Sequence, residues 1–328
     1  MRYLIINTQI FNFTNNINYY FMKKSLFATF LFTILFMSCG GSADKGSENV
    51  DSQQEAGHII GYTNNVIDYL NESNSWMRSN DGRIEAMVTY METGKKASVF
   101  LPFVPNVSMN RHDKDALNTP PAVMSVEEKE FFSSNMTEYR KSFKQLLEDC
   151  GVLYKYIQNQ DYKDDDFAKG KELSDSIKSK YNYLTVTKSA LYDKIDEVTE
   201  KAEEIILSNH VLKDPIMTLK AEMKSLESLN GVYIDYSNGE ATPEVVDAAY
   251  QAAAASIEEN KVKYADLLEE QNVKSKYEYF YKKCDGALSA YRRILRDVKD
   301  KKKIRDSEFK SFTSDYNSIV NAYNSFVN

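Results

Sequence analysis

The stretch FFSSNMTEYRKSFKQLLEDCGVLYKYI, residues 131–157, decides the fold. Its apolar residues Phe132, Met136, Tyr139, Phe143, Leu146, Cys150, Leu153 and Ile157 recur at alternating spacings of four and three without a break. That period puts all of them on one stripe of an α-helix, and such a stripe is stable only when packed against neighbouring helices. Ser125, followed by Glu127 and Glu128, supplies an N-terminal cap and first-turn acids suited to the positive end of the helix dipole.

The same period continues outward. Ile177, Tyr181, Leu184, Lys188, Leu191, Ile195, Val198, Ala202 and Ile205 form a second series, broken only by Lys188, which we expect to snorkel its ammonium past the seam to water. A helix from Asp165 to Ser208 would be about 65 Å long at 1.5 Å per residue. Ile216, Leu219, Met223, Leu226 and Tyr233 follow an Asp214-Pro215 start. The turn-former cluster Ser237 to Glu240 and a Thr242-Pro243-Glu244 start precede Val246, Tyr250, Ala253, Ile257, Asn260, Tyr264 and Leu267. Asn260 reads as a hydrated edge of that seam, with register fixing as the alternative. Tyr277, Phe280, Cys284, Ala287, Tyr291, Ile294 and Val298 make a further series, and Phe309, Phe312, Tyr316, Ile319, Tyr323 and Phe326 the last. Short connections make neighbours antiparallel. The fold class is therefore all-α: an elongated antiparallel bundle of long helices, one domain over residues 57–328.

The N-terminal part predicts two shorter helices, one carrying Ile59, Tyr62, Val66 and Leu70, the other Ile84, Met87, Val88 and Met91, joined near Asn80-Asp81-Gly82. One irregular segment follows, residues 97–123, holding four of the six prolines. It is too apolar for a free linker and too long for an ordinary connection. It reads as a flap on the bundle or as a binding loop, whose contact residues would be Phe100, Phe103, Arg111 and His112.

Composition excludes several functions. A net charge of −7 and a pI near 5.3 give no long-range attraction for nucleic acid. Beyond Cys39 only Cys150 and Cys284 remain, both on seams, so no disulfide framework is expected, though two facing cysteines could bridge. His58, His112 and His210 lie far apart, without the paired spacing of a metal site. No phosphate-cradling glycine loop occurs, and no nucleophile has an evident base. The acid pairs Glu203-Glu204 and Glu258-Glu259 read as solvated helix faces. No catalytic residue, metal or cofactor is expected.

The segment MKKSLFATFLFTILFMSCGG, residues 22–41, supplies an address. Its apolar run is about a dozen residues, against roughly 20 for a membrane-spanning helix. Two lysines, this run and small residues at its end make a secretory signal peptide, with Met22 as the expected true start. Ser38 and Cys39 resemble a bacterial lipobox, which makes Cys39 the lipidation site. Residues 39–56, small and polar, read as a flexible tether.

With FMSCGGS at residues 36–42, the early helix GYTNNVIDYLNESNSWM at 61–77, and Tyr- and Lys-rich helices such as KSKYNYLTVTKSALYDKIDEV at 178–198, the chain resembles the YiiG-like bacterial lipoproteins. That resemblance implies an all-helical extracytoplasmic body and assigns no activity or functional residue. The helical imelysin-like proteins carry a Gly-x-His-x-x-Glu motif that Gly57-His58-Ile59-Ile60 lacks. The expected function is non-enzymatic: a binding module of the cell envelope, joined to the membrane through lipid on Cys39 and facing an unknown protein, glycan or small ligand. Its expected place is the outer membrane, on the periplasmic side or at the cell surface. The alternative is a periplasmic enzyme or ligand-uptake component with a site assembled from scattered residues.

Overall fold

In a computed structural model of the chain, the described residues are 47–95, 114–300 and 302–327. The long helices are α1 (Ser47–Thr93), α3 (Val126–Asn159), α4 (Ala168–Ile206), α5 (Lys213–Ser237), α6 (Pro243–Asn260), α8 (Lys274–Lys299) and α9 (Asp306–Val327), with short helices α2 (Lys114–Asn118) and α7 (Ala265–Glu270) between. No strand occurs among the described residues, so the all-α class holds. The contacts form two compact units, and α1, α3 and α4 contribute residues to both.

Unit 1 comprises described residues 70–95 and 137–188. Ser73 meets Tyr139 and Trp76 packs edge-on against Phe143, so α1 and α3 run in the same direction. Tyr181 reaches Asp81 while Lys188 reaches Asn74, so α4 returns antiparallel to α1. The connection from α3 to α4 turns through left-handed backbone at Gln160, Asp166 and Phe167, with φ of 64°, 52° and 66°. It is held by Tyr162 stacked on Phe167 at 4.9 Å, with Tyr90 edge-on to both. Just beyond, Gly170 lets α4 approach closely. A Cβ there would lie 2.8 Å from Tyr156 Cε1 and closer still to Met91 Sδ.

Unit 2 comprises described residues 47–69, 114–136, 189–300 and 302–327. Its heart is a ring of four helices in which α5 packs on α6 and α9, and α8 packs on α6 and α9. Thr218 at Tyr264 and Glu222 at Ser256 set α5 antiparallel to α6 and the residues just beyond it. Tyr277 at Asn260 and Lys299 at Asp247 set α6 antiparallel to α8. Phe312 at Tyr291 and Phe326 at Tyr277 do the same for α8 and α9. The result is the up-and-down arrangement that short connections dictate. Tyr233, Tyr291 and Phe312 form one aromatic stack in its centre. All three are at most 1% exposed, and full burial of side chains of this size contributes about 1.5–3 kcal/mol each.

The seams read from sequence are the observed cores. All eight residues of the 132–157 series are buried, as are the 277–298 and 309–326 series. Ser125 and Glu128 form a reciprocal capping box, with Ser125 N donating to Glu128 Oε2 at 3.0 Å and Glu128 N donating to Ser125 Oγ at 3.1 Å.

Four expectations need correction. The two N-terminal helices are one, the 47-residue α1. Leu70, Met77, Ile84 and Met91 recur every seven residues straight through Asn80-Asp81-Gly82, and all are buried. That seam outweighs the local turn preference, of which glycine's share is about 1 kcal/mol. Asn80 Nδ2 also donates back to the Trp76 carbonyl at 2.9 Å, inside the helix. Second, α1 begins at Ser47, within the expected tether, and Ala56 is buried against Ile60 and Ala202. Third, Ile205 at the end of α4 is 41% exposed and Leu207 is buried instead. Fourth, α6 stops at Asn260 and the chain restarts as α7, which shifts the phase by one and buries Leu268 rather than Leu267.

Candidate functional site

Of the residues singled out from sequence, Cys39, Phe100, Phe103, Arg111 and His112 lie outside the described residues. His58 and His210 are exposed, and His210 Nδ1 accepts from Leu212 N at 3.1 Å, capping the turn before α5. Cys150, in unit 1, and Cys284, in unit 2, are both buried and both free. Burial pushes the Cys150 thiol up to about 12, with the Asp149 charge adding to it, so this sulfur packs as a small hydrophobe.

Lys188 does not reach water. It is 3% exposed in the core of unit 1, and its Nζ donates to Asn74 Oδ1 at 3.0 Å. Burial, and then the like charge of Arg78, hold its ammonium well below the usual lysine range. Snorkelling fails because α1 closes over the stem: Asn74 is itself only 5% exposed. Glu203, expected on a wet face, is also buried, and in unit 2 it forms an ion pair with Lys220 of α5. Burial raises its carboxyl and the Lys220 charge opposes that rise. Glu204, Glu258 and Glu259 are exposed as expected.

The Glu203–Lys220 pair lines a shallow groove of unit 2, where α1 contributes Ile60, Asn64 and Ile67, α4 contributes Ile195, Asp196, Thr199 and Glu200, and α5 contributes Lys224. Its cavity is about 40 Å³, against the roughly 300 Å³ at which small-molecule sites begin. The Thr199 hydroxyl donates to the Ile195 carbonyl of its own helix at 2.7 Å, so it offers no activated nucleophile. What this groove can do is receive a side chain: apolar walls flank a neutralised ion pair, with Glu200 and Lys224 4.0 Å apart at the rim. Among the described residues no group of three or more His, Cys, Asp or Glu could hold a metal ion. No described helix is long and apolar enough to cross a membrane.

Residues 51–209, just under half of the chain and spanning α1 to α4, match the profile of a domain of unknown function, DUF6845. No curated protein matches the chain. Among solved structures it is similar to an alpha helical protein from Bacteroides fragilis, at 16% identity and a TM-score of 0.53, with 82% of this chain and 98% of that one covered. It is also similar to an uncharacterized DUF3829-like protein from Bacteroides thetaiotaomicron, at 17% identity and a TM-score of 0.45 over the same shares. The first likeness supports the helical fold and nothing finer.

Sequence reasoning missed the burial of Glu203 and Glu222. For Glu222 a signal existed: Pro215, Leu219, Glu222, Leu226, Leu229 and Tyr233 keep the alternating four-three spacing, so the carboxylate occupies a seam position. Asn260 belongs to the same polar cluster, donating from Nδ2 to Glu222 Oε1 at 2.7 Å. It is half-buried, so it lies at a wet edge of the seam and reaches the buried carboxylate from there.

Proposed function

We propose that the chain is a lipid-anchored, YiiG-like protein of the cell envelope that acts by binding and not by catalysis. Lipid on Cys39 holds it in the outer membrane, on the periplasmic side or at the cell surface. The observation that carries this reading is how the polar groups are used: Lys188, Asp81, Glu203 and the hydroxyls of Tyr62, Tyr139, Tyr181, Tyr233 and Tyr277 are engaged with neighbours inside each unit. The groove beside Glu203 and Lys220 is of side-chain size, which favours a protein partner over a glycan or a free small ligand.

Two measurements test it. Metabolic lipid labelling with membrane fractionation should give a labelled, membrane-bound wild type and an unlabelled Cys39→Ala variant, and an unlabelled cytosolic wild type refutes the anchor. A photo-crosslinker at Asn64 in the groove should then capture a discrete protein adduct in envelopes, lost when Ile67→Glu charges the groove wall. Crosslinking indifferent to that change refutes the groove as the contact.

A further inference from the structure

Helix α8 carries eight basic residues against three acidic ones, a net charge of +5 in a chain whose net charge is −7. The excess gathers in its second half, where Arg292, Arg293 and Arg296 are all exposed. Spacings of three and four put Arg296 one turn beyond the other two, so the three share one face over about 6 Å of helix axis. None of them forms an ion pair among the described residues.

The nearby acids are already engaged. Lys302 takes both Asp297 and Asp300, at 3.1 and 3.0 Å, Lys299 takes Asp247 of α6 at 2.8 Å, and Arg305 takes Glu308 at 2.7 Å. On the neighbouring α9 the exposed Ser311, Ser314, Asn317 and Asn321 are uncharged. Asp315, the acid of that stretch, is half-buried and accepts from Ser311 Oγ at 3.4 Å. About 20 Å nearer the start of α8, Tyr279 is 46% exposed, with Lys283 Nζ 5.1 Å over its ring and Lys282 exposed beside it.

The apolar face of α8 is buried in the core through Tyr277, Phe280, Cys284, Tyr291, Ile294 and Val298. Its wet face therefore cannot sink into a bilayer as a free amphipathic helix does, and can only lie against charge. Guanidiniums bind phosphate through paired N–H donors. Fanned over a convex helix, these three fit an array of phosphates better than one enclosed anion. A nucleic acid also offers an array, but it would approach from solution against the acidic remainder of the chain. A bilayer to which the chain is already tethered needs no such approach.

We propose that the exposed face of α8 binds the anionic phospholipid head groups of a membrane surface, with Arg292, Arg293 and Arg296 as its main contacts. The proposal rests on the envelope reading above, which supplies the membrane, and adds the face that unit 2 turns toward it.

The test is co-sedimentation of the full chain carrying Cys39→Ala, which removes the lipid, with vesicles of phosphatidylcholine alone or mixed in equal parts with phosphatidylglycerol. Binding is expected to the mixed vesicles only and should weaken with salt. Replacing Arg292, Arg293 and Arg296 together by Gln should weaken it about a hundredfold. Replacing the exposed Lys141, Lys144 and Lys155 of α3 by Gln makes the same change in net charge and should leave binding nearly unchanged. Equal binding to both vesicles overturns the proposal, as does a loss no larger for the α8 variant than for the α3 variant, or tighter binding to a DNA duplex than to the mixed vesicles. Because every sample lacks the anchor, the two readings fail separately. Failed lipid labelling beside selective vesicle binding strikes the anchor alone, and labelled protein without vesicle selectivity strikes this face alone.

Discussion

The two units use tyrosine differently. In unit 2 three buried hydroxyls find backbone: Tyr62 donates to the Leu117 carbonyl at 3.0 Å, Tyr233 to that of Tyr291 at 2.8 Å, and Tyr277 to that of Asn260 at 2.9 Å, while Tyr281 pairs with the Tyr277 hydroxyl at 3.3 Å. In unit 1 they find side chains: Tyr139 pairs with Ser73 at 2.9 Å, Tyr181 with Asp81 at 3.3 Å, and Tyr156 with Asp165. A carbonyl cannot titrate and survives mutation of its own side chain. A carboxylate or hydroxyl partner does neither. Through these tyrosines unit 2 is tied to backbone acceptors, whereas unit 1 depends on particular side-chain pairs and, at Asp81 and Asp165, on carboxylates that titrate.

The strongest way to break this comparison is to hollow each core in turn. Phe312→Ala in unit 2 and Phe143→Ala in unit 1 should each cost about 3–5 kcal/mol. Followed by circular dichroism during urea unfolding, each should lower one transition and spare the other. If both variants shift a single common transition, the units are one cooperative body.

Lys188→Met sharpens the contrast next. Removing a buried ammonium should stabilise unit 1 by about 1–3 kcal/mol at neutral pH, the gain expected when buried charge gives way to an apolar residue of similar volume. The sign with pH follows from the lowered value of Lys188. Between that value and the ordinary 10.5 the unfolded chain binds more protons, so wild-type stability rises with pH through this window. The variant should lack that rise, and its advantage should shrink toward the upper end. A variant as pH-sensitive as the wild type would contradict the burial of this charge.

Gly170→Ala comes third, at about 1–3 kcal/mol of destabilisation. The added methyl strikes Tyr156 and Met91, and Met91→Ala in the same chain should recover part of the loss by making room. Absence of any recovery would place the strain elsewhere.

The smallest effect is the most diagnostic. Tyr181→Phe and Tyr233→Phe should each cost about 0.5–1.5 kcal/mol. Only the unit 1 partner carboxyl, Asp81, is raised by burial, with its Tyr181 hydrogen bond opposing the rise. A raised carboxyl favours folding below its unfolded value of 3.8, and that advantage is lost as pH rises through the folded value. Asp81→Asn keeps an acceptor for Tyr181 and should flatten this slope. A slope unchanged by Asp81→Asn would separate it from this pair.

The helical seams were legible because apolar burial leaves a period in the sequence. Phe132 to Ile157 needed no knowledge of partners, since eight apolar residues on one stripe have no other use. Asn80-Asp81-Gly82 misled for a local reason: all three favour turns, and only the heptad linking Leu70, Met77, Ile84 and Met91 shows that the helix continues. Buried polar residues were the least legible. Lys188 interrupts a seam visibly, yet whether it escapes to water depends on Asn74, 114 positions away. Glu203 looks like any surface acid until Lys220 is set opposite it. The charge of a residue is written in the chain, and its compensation is not.

Trp76 carries one further consequence. It is the sole tryptophan, it lies in unit 1, and it is 9% exposed against the edge of Phe143. Its fluorescence, excited at wavelengths where phenols do not absorb, therefore watches unit 1 alone, while the near-ultraviolet dichroism of the ordered tyrosines sums over both units. The molecule thus carries an optical reporter for one half, without any label attached.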